Sequence, residues 1–187
     1  MPKSSMFRIR SRLSVGGLWV AAALAMAFTP ALADEATRIF YSPEKDLEQI
    51  DVAEIDGATR TVDMFAYVLT DRAVVGALRA AGARGVRVRI WRDAEMAEKL
   101  ADFDVAAQLA GGAAGVEVRI KPAGELMHLK GYCIDGAELR TGSANFSRSG
   151  ETRQDNDLVL IRSPEACAGF EAKFEKAWGS GGQRTAN

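Results

Sequence analysis

From residue 38 onward the chain alternates short strand-like runs with helical patterns, and few architectures accommodate that alternation. RIFY at 38–41 reads as a strand. Ser42-Pro43-Glu44 then supplies an N-cap, a proline at the first helical position and an acid in the first turn of a helix running to about Ile55. RTVDMFAYVL at 60–69 is rich in β-branched and aromatic residues, and Thr70-Asp71 caps a helix in which Ala73, Val74, Ala77, Leu78 and Ala81 recur at helical spacing until Gly82. VRVRIW at 86–91 and VEVRI at 116–120 alternate like strands on either side of a helical pattern over 94–109. Strands interleaved with helices predict βαβ units. The expected class is therefore α/β, a mixed, largely parallel sheet flanked by helices on both faces.

After residue 120 the pattern changes. Two runs, 129–134 and 138–141, are joined around Asp135-Gly136, a dipeptide suited to a tight hairpin because both residues tolerate positive φ. DLVLI at 157–161 is an apolar strand, and Ser163-Pro164-Glu165 opens a last helix whose Cys167, Phe170, Phe174 and Trp178 form one stripe. That stripe reads as core. With 187 residues, 48% of them hydrophobic, the chain has material for one domain with a real core. The spacing of Cys133 and Cys167 is as compatible with two buried free thiols as with a bridge.

The first 33 residues stand apart. Lys3, Arg8, Arg10 and Arg12 precede an apolar run from Leu13 to Phe28, and Ala31-Leu32-Ala33 follows, the layout of a secretory signal peptide cut after Ala33. The expected organisation is a signal peptide over 1–33 and one domain over 34–187, periplasmic or secreted. Removal of 1–33 takes four basic and no acidic residues from totals of 24 and 25, leaving a net charge of about −5. An acidic total excludes nucleic-acid binding by bulk charge and leaves room for a local basic groove.

The residues that carry chemistry lie in HLKGYCIDGAELRTGSANFS at 128–147. His128 is the only histidine of the chain, and on a strand it shares a face with Lys130. Gly142, Ser143 and Asn145 follow the hairpin with a hydroxyl, an amide and a glycine where a ligand can approach the backbone. Lys130, Ser143 and Asn145 can donate to the oxygens of a tetrahedral anion while His128 faces its phosphorus. One histidine and scattered carboxylates do not make metal-ligand spacing, so no metal and no cofactor is expected. Arg148 and Arg153 follow closely enough to meet flanking phosphates.

His128-x-Lys130-x4-Asp135-x6-Gly142-Ser143-x-Asn145 resembles the H-x-K-x4-D-x6-G-S-x-N signature of the phospholipase D superfamily without a departure in spacing. FYSPE at 40–44, DMFAYVLTDRAVVGAL at 63–78, RGVRVRIWRD at 84–93 and ETRQDNDLVLI at 151–161 are similar to the matching segments of the superfamily's small secreted bacterial endonucleases, which carry one motif per chain. The resemblance implies the phospholipase D/nuclease fold and a homodimer whose two motifs face one phosphate. One His128 attacks to give a phosphohistidine, and the second copy's imidazolium protonates the leaving alcohol. It implies catalytic roles for His128, Lys130, Asp135 and Asn145 and phosphate binding by Lys130, Ser143 and Asn145, with Asp135 better suited to structural hydrogen bonding than to proton transfer. DNA or RNA is the implied substrate of a sequence-nonspecific, metal-independent phosphodiesterase. A phospholipase D acting on phospholipid headgroups, or a non-catalytic phosphate- or nucleic-acid-binding dimer, are the alternatives. Where the family carries a glutamate followed by asparagine to support the histidine, this sequence has Asp155-Asn156-Asp157, so Asp155 and Asp157 are both candidates for that acid.

Overall fold

A computed structural model describes residues 37–101, 108–109 and 115–184, and the expected signal peptide lies outside them. Eight strands form one sheet in the order β1-β7-β6-β5-β2-β3-β4-β8. They are β1 (Thr37–Ser42), β2 (Thr61–Ala66), β3 (Arg87–Arg92), β4 (Val116–Ile120), β5 (Lys130–Ile134), β6 (Glu138–Gly142), β7 (Asn156–Arg162) and β8 (Gln183–Arg184). The helices are α1 (Leu47–Asp56), α2 (Arg72–Ala83), α3 (Ala94–Lys99), α4 (Arg148–Thr152) and α5 (Pro164–Gly179). The sheet is mixed, but its parallel part is smaller than the alternation suggests: among the described strands, β2–β3 and β3–β4 are the pairs that run parallel. The hairpin β5–β6 enters beside β2, and β7 and β1 extend it, all antiparallel. The βαβ rule holds for the stretch that sequence periodicity marks most clearly and stops where the hairpin begins.

Alternation along β2 feeds two of the buried clusters. Val62, Met64 and Ala66 of β2 pack with Val74, Leu78 and Ala81 of α2 on one face. Phe65, between them, points the other way, onto Phe174 and Trp178 of α5. Cys133 of β5 is disulfide-bonded to Cys167 of α5, which settles the thiol question and ties that helix to the hairpin strand.

Three local readings change. α1 starts at Leu47 with Asp46 as N-cap, not at Ser42, because the Ser42 hydroxyl is buried and donates to the Gln154 carbonyl at 2.7 Å. A side chain held by a distant segment cannot also cap the next helix. The helical pattern over 94–109 yields α3 as far as Lys99, and residues 102–107 lie outside those described. His128 precedes β5 rather than lying on it.

Candidate active site

Every motif residue except Asp135 gathers at one end of the sheet. β2 and β3 finish there, β5 and β7 start there, and β6 ends there in Gly142, so the site lies beyond the carboxyl ends of the parallel strands. Two backbone anchors set the segment bearing His128. The Met127 N–H donates to Asp93 Oδ2 at 2.8 Å, and the Tyr67 N–H donates to the Leu129 carbonyl at 3.1 Å. His128 between them is exposed, its ring edge-on to Tyr67 with centroids 4.4 Å apart.

Lys130 is the contrasting member. It is only 8% exposed, its Nζ donates to the His128 carbonyl at 2.8 Å and lies 4.8 Å from the Tyr67 ring centroid. Burial lowers its pKa, since the ammonium has given up water without gaining a carboxylate. Although β5 begins at Lys130 and leaves His128 outside it, Tyr67 touches both side chains and keeps them on one side. Sequence reading placed Tyr67 only in a strand and missed this contact.

The second half of the motif is fixed by β7. Ser143 N–H donates to Asp157 Oδ1 at 3.1 Å, and the Asp157 N–H donates to Ser143 Oγ at 2.9 Å, leaving the hydroxyl proton of Ser143 to donate elsewhere. Gly142 makes this pairing possible: its φ is +139°, and a Cβ there would sit 2.4 Å from the Asp157 carbonyl oxygen. Asn145 Oδ1 is buried without a hydrogen-bond partner. Neither candidate supporting acid bonds to the His128 imidazole. Asp157 is committed to Ser143, and Asp155 is exposed in the turn before β7. Among the described residues of one chain, the ring's aromatic contact is with Tyr67, and neither of those two carboxylates reaches it.

Asp135 is at the opposite end of β5, roughly 16 Å away at ~3.3 Å per strand residue. With φ 56° it turns the hairpin and accepts from the N–H groups of Thr59, Arg60 and Thr61 and from the Thr59 hydroxyl. Burial alone would raise its carboxyl, but those donors outweigh burial and hold the pKa below the usual value. Those hydrogen bonds give Asp135 a structural role at the turn, away from the other motif residues.

Two depressions flank the motif. One of about 570 Å³ is lined by His128, Leu126, Leu129, Lys121, Lys173 and Lys176 among others. The other, of about 750 Å³, includes Tyr41, Lys45, Ser143, Asp155 and Asp157. Of the exposed large apolar residues, Leu126 and Leu129 bracket His128, and Tyr41 pairs in register with Asp157. Arg148 and Arg153, at the two ends of α4, are exposed.

Beneath the motif lies a buried charged cluster that periodicity did not reveal. Asp51, Arg140 and Glu151 are each 0% exposed and Asp71 2%. Arg140 pairs with Asp51, which also accepts from the Tyr132 hydroxyl at 2.8 Å. Both Glu151 oxygens lack partners when the group is read only as an acceptor. Desolvation first, then the neighbouring Asp51, pushes its pKa up to about 10, so Glu151 is protonated at neutral pH and can donate to Asp51. A hydrogen bond to Asp71, with burial, likewise raises Glu48 to about 7.

Residues 52–178 match the family model described as the PLD-like domain of cardiolipin synthase. Among curated relatives, the mitochondrial cardiolipin hydrolase of Chlamydomonas reinhardtii is 31% identical over 125 residues, covering 66% of this chain and 54% of that protein. The phospholipase D of Rickettsia bellii is 28% identical over 126 residues, covering 67% and 60%. The chain thus spans little more than half the length of these relatives. Among solved structures, Nuc from Salmonella typhimurium, a phospholipase D family member, superposes with TM-score 0.75 at 26% identity, covering 82% of this chain and all of Nuc. NucT from Helicobacter pylori, at 20% identity and TM-score 0.62, shares the fold. The family match over most of the folded residues, together with the motif at one sheet end, places this chain in the phospholipase D superfamily.

Proposed function

We propose that the protein is a phosphodiesterase that hydrolyses nucleic acid without metal and with little sequence preference, at a site completed by a second copy of the chain. The observation that carries the reading is the pairing of an exposed, solitary imidazole with a buried, carboxylate-free ammonium. Lys130 retains unbalanced positive charge where a phosphodiester would meet His128. His128 nitrogen attacks phosphorus and the P–O bond to the leaving alcohol breaks, the alkoxide taking a proton from the second copy's imidazolium. Water then attacks the phosphohistidine and loses a proton to that same imidazole, and His128 is released. Lys130, Ser143 and Asn145 hold the phosphoryl oxygens. The pair works with one imidazole neutral, as nucleophile, and one charged, as proton donor. The exposed apolar residues bracketing His128 and beside Asp157 offer the second copy a surface to close on. Export after removal of residues 1–33 completes the proposal.

The purified protein is incubated with supercoiled plasmid and with RNA in excess chelator; nicking by wild type and none by His128→Ala is the expected result. Cleavage only on addition of magnesium would refute the mechanism. Mixing the His128→Ala protein with wild type should give hybrids without turnover.

A second reading, hydrolysis of phospholipid headgroups, draws on Leu126 and Leu129 with the lysines of the same depression and on the names of the curated relatives. Release of headgroup from anionic vesicles, with intact plasmid in the parallel reaction, would reverse the order. Binding of DNA by wild type without cleavage of any diester would favour a non-catalytic module.

A further inference from the structure

The His128–Lys130 half of the site stands at the start of β5 and the Ser143–Asn145 half follows the end of β6, and one buried side chain touches the backbone of both. Arg140 of β6 is fully buried and directs its guanidinium under the motif. Its Nε and Nη2 donate to Asp51 Oδ1 and Oδ2 at 3.0 and 2.9 Å. Its Nη1 donates to the carbonyl of Lys130 and to the carbonyl of Ala144, each at 3.2 Å. Phe146, with its ring centroid 4.5 Å from Cζ, closes the other side.

We infer that Arg140 is a positioning residue for the active site: a single nitrogen bonded to the carbonyls of Lys130 and Ala144 fixes the separation of the two halves of the motif. A buried ion pair is weak evidence of a stability role, because an apolar pair of the same volume often serves as well. The fork is what an ion pair alone does not require. A guanidinium presents fixed donors in two directions, so Asp51 can orient it from α1 while its third nitrogen reaches the two carbonyls. A lysine ammonium gathers its three donors on one atom, so it cannot reproduce the separate reach of the fork to Asp51 and to the two carbonyls. Ala144 is also held from β7, its N–H donating to the Asp157 carbonyl at 3.2 Å, so the segment between Ser143 and Asn145 is clamped from two strands. Arg140 touches no substrate in this scheme; it acts through the backbone of residues that do.

The inference rests on the proposed site, and the test separates the two. Hydrolysis of bis(p-nitrophenyl) phosphate by the full chain is followed for wild type, His128→Ala, Arg140→Lys and the paired Asp51→Leu/Arg140→Met, with near-UV circular dichroism and melting temperature for each. The expected result is a kcat at least about tenfold lower in each folded Arg140 variant, with KM within about threefold, since a misplacement near 1 Å costs up to about a hundredfold. A lysine retains the charge, so its failure to rescue distinguishes the fork from the ion pair. The paired variant removes both charges and keeps the protein testable if the single variant misfolds. A folded variant with kcat less reduced than that, or with the loss confined to KM, overturns the inference while leaving the site intact. If wild type does not cleave, or His128→Ala cleaves equally well, the site reading fails and takes the inference with it.

Discussion

Glu151→Gln should change how stability depends on pH. The Glu151 pKa is pushed from 4.5 up to about 10 by burial and by Asp51. A raised folded pKa gives stability that is fully present below about pH 4.5 and is lost progressively as pH rises toward about 10, because the folded state holds a proton the unfolded chain has released. One such proton sets a slope of about −1.4 kcal/mol per pH unit. Glutamine copies the protonated acid, keeps a donor for Asp51 and does not titrate. Wild-type stability minus that of Glu151→Gln should therefore fall by about 2.7 kcal/mol between pH 6 and pH 8, other titrations cancelling in the difference. With a urea m-value of about 2 kcal/mol per molar, the gap between the two midpoints widens by about 1.4 M over that interval. Urea unfolding at pH 6, 7 and 8 measures it directly. Midpoints that move in parallel with pH would show that Glu151 folds ionised and would refute the account of the cluster.

Lys130→Met should melt higher than wild type, by about 1 kcal/mol, while turnover is lost, because the buried ammonium gives up hydration without a carboxylate partner. Its lowered pKa gives the sign: the penalty is present at neutral pH and relieved as pH rises through the folded pKa, so the melting difference should shrink in strong alkali. Asp135→Asn keeps the positive φ of the turn but loses charge-assisted acceptance from residues 59–61, costing about 2 kcal/mol by urea unfolding with kcat per folded molecule unchanged. The depressed Asp135 pKa contributes stability above its unfolded pKa that is lost as acid is added, and the Asn variant should lack that loss. Cys133→Ala/Cys167→Ala opens a loop of sequence separation 34, worth about 3.7 kcal/mol of unfolded-chain entropy, and calorimetry should show melting about 7–15 °C lower.

What the sequence discloses about this fold follows the range of the interactions involved. Asp135-Gly136 announces its hairpin because both φ values are positive, and Ser163 caps α5 because capping is decided within one turn. Ser42 misleads by the same rule: its hydroxyl is taken by Gln154, over a hundred residues away, a competitor no local window contains. The parallel fraction of the sheet is overread because alternation of strand and helix does not say where a later hairpin inserts, and this one enters beside β2. The motif residues were legible as a set through their spacing, but the partners that arrange them were not. Tyr67 looks like any strand aromatic. Arg140 and Asp51 look like surface charges in ELRTG and EQIDV until the fold buries both.

The buried acids bear on the proposed binding of a phosphodiester as well as on stability. Each full negative charge within ~10 Å of a bound phosphodiester, at an effective dielectric near 20, opposes binding by about 1.7 kcal/mol, more than a tenfold loss. Asp51 is matched by Arg140, and Asp71 Oδ1 accepts from the N–H groups of Ala73 and Val74 at the start of α2. Glu151 has no ion pair among the described residues, and its proton removes one further negative charge from the cluster. Lys130 then stands as the unbalanced charge beside His128. The same proton that supports the fold therefore makes the ground beneath the site less negative toward an anion. Raising pH toward 10 should weaken phosphate affinity and stability together in wild type, whereas Glu151→Gln should hold its affinity for inorganic phosphate, measured by competition against diester hydrolysis, further into alkali. An affinity that falls equally in both proteins would place the controlling titration elsewhere, on Lys130.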